Sequence, residues 1–239
     1  MQWYMVNNKD LKIDDEDKRH IINVVRMNIG NFFNIVYNET LYTCKITNIT
    51  KKDVEYEIVD ENKLNNNKDY KIILATCLIK EQKMDYLLQK AAELGVDEII
   101  PVISERTVVK VDNKKDRWNR ILKEASEQSH RSKMPIIHEI IKLKDIINYK
   151  SDLKILCNTS EMSKNIKNVL QDNKKSDTIL IAIGPEGGFS GKEVEFLIDN
   201  GFISVTLGDN ILRAETVPLY LLSIINYEYM RWSYDSKYY

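Results

Sequence analysis

The sequence predicts an α/β protein built on a parallel sheet, with a small all-β unit ahead of it. Three observations lead there. From residue 72 onward, short apolar runs of strand length alternate with amphipathic helical stretches, the pattern of strand–helix units that form parallel sheets. Those runs, Ile179-Leu180-Ile181-Ala182-Ile183 above all, are apolar throughout, as strands covered on both faces are. Residues 35–59 instead alternate apolar and polar side chains, as half-buried antiparallel strands do.

In chain order, Ile35–Tyr37, Tyr42–Ile49 and Val54–Val59 are the strands of a small β-barrel, separated by Asn-rich connections. Glu61–Lys71 has almost no apolar content and reads as a linker, which divides the chain into residues 1–70 and 71–239. Ile72–Leu78 opens the second part as a strand. Lys83–Leu94 follows as a helix with Met84, Leu87, Leu88 and Ala91 on one face, and Gly95 ends it. Ile99–Ile103 is a buried strand. Arg117–Gln128 is an amphipathic helix facing the core with Trp118, Ile121, Leu122 and Ala125, and Arg120, Glu124, Glu127 and Arg131 carry its charged side. Lys154–Cys157 is a strand, and Asn158–Glu161 is expected to open the next helix. Ile179–Ile183 leads into Gly184-Pro185-Glu186-Gly187-Gly188. Ser190 and Glu193 then form a capping box for a helix whose apolar face is Val194, Leu197 and Ile198, ended by Gly201. Phe202–Leu207 is the next strand and Gly208 opens the second turn. A last helix, 217–231, is capped by Thr216 with Pro218 in its first turn and is apolar almost all round.

Composition narrows the function classes. Apolar content of 43% and charged content of 30% describe a globular protein with ample material for a core. Lys+Arg 35 against Asp+Glu 36 gives a formal net charge of −1, so any RNA contact must come from local basic patches. No stretch reaches transmembrane length, and the N-terminal MQWYMVNNKDLKIDDEDKRH is too acidic and polar for a signal or transit peptide, which points to the cytoplasm. Cys44, Cys77 and Cys157 are isolated and odd in number, so they read as reduced core cysteines. With His20, His130 and His138 they make no metal spacing, and no metal is expected.

Chemistry gathers at the two glycine turns. Turns at the carboxyl ends of neighbouring buried strands are where open α/β sheets bind ligands. The first turn carries Glu186, the second Arg213 and Glu215. The plain alternative is a pair of ordinary βα turns with Arg213 and Glu215 as a solvated ion pair. The spacing Gly184-x-x-Gly187-Gly188 is not G-x-G-x-x-G. Gly191-Lys192 is followed by Glu193 rather than Ser or Thr, so dinucleotide and phosphate-loop readings are weak.

IGPEGGFS (183–190), LG..ILRAET (207–216), KMDYLLQKAAELGVDEIIPVISERTVVK (83–110) and RWNRILKEASEQSHRSKMP (117–135) resemble, in this order, motifs of the RsmE family. These are 16S rRNA uracil-N3 methyltransferases of the SPOUT superfamily. The strong resemblance runs from about residue 74 to 222. It implies a SPOUT-type domain with a C-terminal trefoil knot around the parallel sheet, a PUA-like β-barrel that holds RNA, S-adenosylmethionine as cofactor, and a homodimer, for which the apolar helix 217–231 is a suitable interface. The substrate it implies is 16S rRNA, free or in the assembled small subunit. LCNTSE (156–161) is similar to the family's first cofactor-contacting segment, which adds Leu156 to Gly184, Pro185, Gly188, Leu207, Gly208, Ile211 and Leu212 as cofactor-binding candidates. Removing a uracil N3 proton needs a base and a field for the developing anion. Arg213 is the first catalytic candidate and Glu186 the second, with Glu215 an alternative base. Arg26, Lys83, Gln128 and Arg131 are the RNA-contact candidates. The chain departs from the family at Asn210, where arginine is usual, at Val217, where alanine is usual, at His130, where glycine is frequent, and at Gln2-Trp3-Tyr4-Met5, where an arginine is expected. Two competing readings are a catalytically silent RNA-binding protein on the same fold, which the intact GPEGG and ILRAET argue against, and a metabolic enzyme holding a phosphorylated small molecule, which the missing phosphate motifs argue against.

Overall fold

The computed structural model describes residues 1–64, 68–109, 115–161, 163–174 and 176–229. The chain forms two compact units, 1–66 with 123–134, and 67–122 with 135–239.

The first unit is a four-stranded sheet in the order β1 (Trp3–Met5), β2 (Phe32–Tyr37), β3 (Thr40–Ile49), β4 (Val54–Lys63). β1 runs parallel to β2, and the other neighbours are antiparallel. No pairing among the described residues joins β4 back to β1. Tyr4, Ile21, Phe33, Ile35, Cys44, Ile46 and Val54 form its core. Between β1 and β2 lie helix α1 (Asp15–Arg19), N-capped by Asp14, and a π-helical turn over His20–Val25. The expected linker is shorter than its composition suggested. Glu61–Lys63 belong to β4 and Lys71 begins the next strand, while residues 65–67 of that segment lie outside the described residues. β4 is paired on one side only and exposed along most of its length, so Glu61–Lys63 extend the strand without an apolar pattern to announce them.

The second unit is a parallel sheet in the order β11-β9-β10-β5-β6-β7, with β8 also on β6. Its elements are β5 (Lys71–Cys77), α2 (Glu81–Glu93), β6 (Glu98–Ile103), β7 (Ile136–Ile137), β8 (Ile141–Lys142), a 3₁₀ turn over Leu143–Asn148, β9 (Leu153–Cys157), α4 (Ile166–Asp172), β10 (Thr178–Ile183), α5 (Gly191–Asp199), β11 (Ile203–Val205) and α6 (Val217–Tyr229). Helix α3 (Lys115–Gln128) precedes β7 in the chain. β10 lies between β5 and β9, in register Ile181↔Leu74 and Ile181↔Ile155, and its consecutive buried residues show that both of its faces are covered, as its unbroken apolar run requires. Ile72, Leu74, Ile155, Leu156 and residues 179–182 are 0% exposed.

Local signals explain the helix ends. Met84, Leu87, Leu88 and Ala91 are buried, and Gly95 at φ +83° closes α2. Glu193 Oε2 accepts from the Ser190 N–H at 2.8 Å in the α5 capping box, and Gly201 follows that helix at φ +85°. Two expectations need correction. Ile198 is 46% exposed; Val194 and Leu197 face the core as expected, and Phe189 and Phe196 pack there in place of Ile198. Asn158–Glu161 is a turn, and the helix begins at Ile166 with Asn165 as cap. Asn158 Oδ1 accepts from the Ser160 N–H and Glu161 Oε1 from the Ser163 hydroxyl and N–H, local bonds that compete with helix formation. Glu127, on the charged side of α3, is half-buried. It accepts from the Met5 N–H at 2.7 Å and faces Lys123 at 3.0 Å. Of the expected last helix, residues 230–231 lie outside the described residues. Cys44 and Cys77 are buried, which pushes both thiols up to about 12 and removes them from thiolate chemistry.

Candidate active site

Parallel strands all deliver their carboxyl ends to one edge of the sheet, and the turns that leave β5, β10 and β11 carry the charged residues singled out in the sequence. Lys83, in the first turn of α2 just past β5, places its Nζ 3.4 Å from Glu186 Oε1 and 3.3 Å from Glu215 Oε2. One ammonium thus joins the turn after β10 to the turn after β11. Glu215 is paired with Lys83, not with Arg213 as the solvated-pair alternative had it. Its Oε2 is buried and accepts no hydrogen bond among the described residues, while Glu186 is exposed. The Arg213 side chain is exposed and has no ion pair or hydrogen bond to a described residue. Its carbonyl accepts from the N–H groups of Thr216 and Val217 and so shapes the entry to α6.

The glycines set the shape of the first turn. A Cβ on Gly184 would stand 3.1 Å from the carbonyl carbon of Gly188, 3.2 Å from its Cα and 3.2 Å from the Phe189 nitrogen. The turn therefore folds back on itself with no room for a side chain. Gly188 at φ +66° and Gly208 at φ +121° occupy the left-handed region, with nothing within 4 Å of a would-be Cβ, so bare backbone faces open space at both turns. Ile211 is 82% exposed on the second turn, with Leu212 half-buried beside it. Pro185 is buried. Leu156 lies in the core with its backbone in the β9 ladders, below the turns rather than at their surface.

Two residues were missed as site builders. Arg106 Nη1 donates to the Gly187 carbonyl at 2.8 Å, and Glu105 Oε2 accepts from the Ser190 hydroxyl at 2.8 Å while its own N–H donates to Glu193. Both lie in the ISERT stretch, whose charges within an otherwise apolar run were the available signal. Beside them, Ile103, Leu143, Phe196, Lys142, Lys144 and Lys192 line a shallow depression of about 380 Å³.

The other RNA-contact candidates belong to the first unit. Arg26 is exposed, in the left-handed conformation at φ 57°, at the end of the π-helical turn. Gln128 is exposed and Arg131 half-buried, its Nε donating to the Lys133 carbonyl at 3.0 Å. His130 adopts φ 54°, a conformation that favours glycine, and stacks on Trp3 at 4.5 Å. A groove of about 320 Å³ in this unit is lined by Met5, Asn8, Lys12, Asn38, Lys123 and Lys133, among others. Among the described residues no group of His, Cys, Asp and Glu could hold a metal ion, and no helix is long and apolar enough to cross a membrane.

Comparisons with known proteins agree with this architecture. Residues 66–226 match the model of an RNA methyltransferase domain, and residues 13–59 that of an RNA methyltransferase PUA domain. The ribosomal RNA small subunit methyltransferase E of Bacillus subtilis is 33% identical over 228 residues, covering 90% of this chain and 89% of that protein. Its Mesomycoplasma hyopneumoniae counterpart is 34% identical over 206 residues, covering 84% and 88%. The Neisseria gonorrhoeae ribosomal RNA small subunit methyltransferase E, solved bound to S-adenosyl methionine, superposes with a TM-score of 0.84 at 29% identity, covering 95% of this chain and 97% of that one. The chain is an α/β protein with an N-terminal PUA-like β domain, and it belongs to the RsmE family of RNA methyltransferases.

Proposed function

We propose that this protein transfers the methyl group of S-adenosylmethionine to N3 of a uridine in 16S rRNA of the small ribosomal subunit. The observation that carries this reading is the meeting of Lys83, Glu186 and Glu215 between two glycine turns, one of which presents an exposed Arg213 with no ion pair or hydrogen bond from its side chain to a described residue. The turns fit the cofactor: the bare backbone at Gly188 and Gly208 admits close approach, and exposed Ile211 offers an apolar surface to an adenine face. Gly184, Pro185, Gly188, Leu207, Gly208, Ile211 and Leu212 would hold it, with Leu156 as floor. When bound, S-adenosylmethionine supplies an electrophilic methyl group and needs no metal.

The chain's residues handle the nucleobase. The uracil N3–H is a weak acid whose proton must leave as the N–C bond forms, and Glu186 or Glu215 accepts it. The Arg213 guanidinium, with five donors and no anion among the described residues to satisfy, stabilises the charge that develops on the uracil oxygens. Residues 1–70 hold the RNA through Arg26, helped by Gln128 and Arg131, and residues 71–239 carry the chemistry. Free 16S rRNA or the assembled small subunit is the substrate. The reading includes a trefoil knot at the C-terminal turns, a homodimer built on α6, and a cytoplasmic location.

Arg213→Ala tests the assignment. Loss of an electrostatic stabiliser of this kind lowers kcat by about 10²–10³, with cofactor affinity changed little. An unchanged kcat would remove Arg213 from the reaction.

A further inference from the structure

Lys83 stands where a lysine is least expected. It lies in the first turn of α2, where the helix dipole disfavours a cation. Its side chain is 31% exposed and faces two carboxylates that follow it by more than 100 positions in the chain. Glu186 belongs to the turn after β10, and Glu215 to the turn after β11. The ammonium lies 3.3 Å from the buried Glu215 Oε2, which accepts no hydrogen bond among the described residues. Without that cation, two like charges would face each other across the gap between the turns.

We propose that Lys83 is a positioning residue: its ammonium clamps Glu186 to Glu215 and so locks the two glycine turns in their working arrangement. This role rests on the reading of the turns as the methyl-transfer site. It replaces the phosphate contact expected for Lys83, because an ammonium engaged by two carboxylates is already neutralised and has little charge to offer a phosphate. A lysine on RNA would act on binding alone, whereas a clamp acts on the turns whether RNA is present or not.

The test compares wild type with Lys83→Met and Lys83→Arg, and with Lys80→Met as a control on the exposed neighbouring lysine. Three quantities are read: amide hydrogen exchange of the free protein at 184–190 and 206–217, kcat and KM for 16S rRNA, and the dependence of RNA affinity on salt. For Lys83→Met the clamp predicts exchange accelerated about tenfold in both turns, with the rest of the sheet unchanged. It also predicts kcat lowered about tenfold or more and an unaltered salt slope. Arg restores part of each, and Lys80→Met leaves the turns unaffected. Unchanged exchange with a raised KM and a salt slope smaller by about one would make Lys83 a phosphate contact and overturn the proposal. Acceleration confined to one turn would overturn it as well. If wild type fails to methylate RNA, the substrate reading falls, and the exchange measurement still decides the clamp.

Discussion

Gly184→Ala is the sharpest perturbation of the cofactor turn, because the obstacle is backbone and not a movable side chain. The added methyl would sit 3.1–3.2 Å from three main-chain atoms of Gly188 and Phe189, closer than ordinary van der Waals contact. Relief requires the 184–189 backbone to open by a few tenths of an ångström, and the turn is pinned at both ends. The β10 ladder through Ile183 holds one side, and the Ser190 hydrogen bonds to Glu193 and Glu105 hold the other. Overpacking of this kind costs about 1–3 kcal/mol. Two readouts separate strain from site damage: the midpoint of urea unfolding, and calorimetric affinity for S-adenosylmethionine. Stability should fall within that range, and affinity should fall about tenfold as the Gly188 backbone moves off its position. Gly191→Ala is the control. No atom lies within 4 Å of its would-be Cβ, and it opens helix α5, so it should be neutral or stabilise by up to about 1 kcal/mol. A Gly184→Ala protein with wild-type stability and affinity would refute the close-packed turn.

Two further outcomes follow from the same geometry. In the first unit, burial raises the Glu127 carboxyl to about 7, and the nearby Asp17 charge adds to the effect, while Lys123 and the Met5 N–H oppose it. Burial also works against the Lys123 ammonium, but the carboxylates of Glu127 and Asp17 outweigh it and raise that group. A carboxyl that holds its proton more tightly when folded than its ordinary 4.5 contributes stability below about pH 4.5 and loses it as pH rises towards 7. The ceiling is about 3 kcal/mol. Urea midpoints between pH 5 and 8 should therefore decline more in wild type than in Glu127→Gln, and parallel curves would contradict this. In the second unit, Ser190→Ala removes the hydroxyl that donates to Glu105 and should cost about 1 kcal/mol of stability. An unchanged midpoint would mean that water replaces the bond at no cost.

Most of the architecture was legible because the signals were local or periodic. Predominantly apolar runs located β5, β6 and β10, and the Ser190/Glu193 box with Gly201 bounded α5 to within a residue. The failures have physical reasons. Glu61–Lys63 are strand residues on an exposed edge, where no face is buried and no alternation is needed. Asn158–Glu161 carries capping residue types that satisfy one another in a turn before a helix can start. β1 is three residues long and the π-helical turn over His20–Val25 has no compositional mark. At the site, the sequence placed Glu186, Arg213 and Glu215 on the two turns. The partner of Glu215 was hidden, because Lys83 lies 132 positions away and only the sheet order brings α2 beside those turns. Arg106 and Glu105 were hidden for the same reason, since each acts through a partner more than 80 positions distant.

Methyl transfer to a uridine leaves a modified nucleoside, so the decisive measurement is mass spectrometry of nucleosides from 16S rRNA. Small subunits from a strain lacking the modification would be incubated with the protein and S-adenosylmethionine, alongside Arg213→Ala. N3-methyluridine formed by the wild type and sharply reduced in the variant is the predicted result. Cofactor binding without any methylated uridine would contradict the assigned substrate while leaving the fold intact.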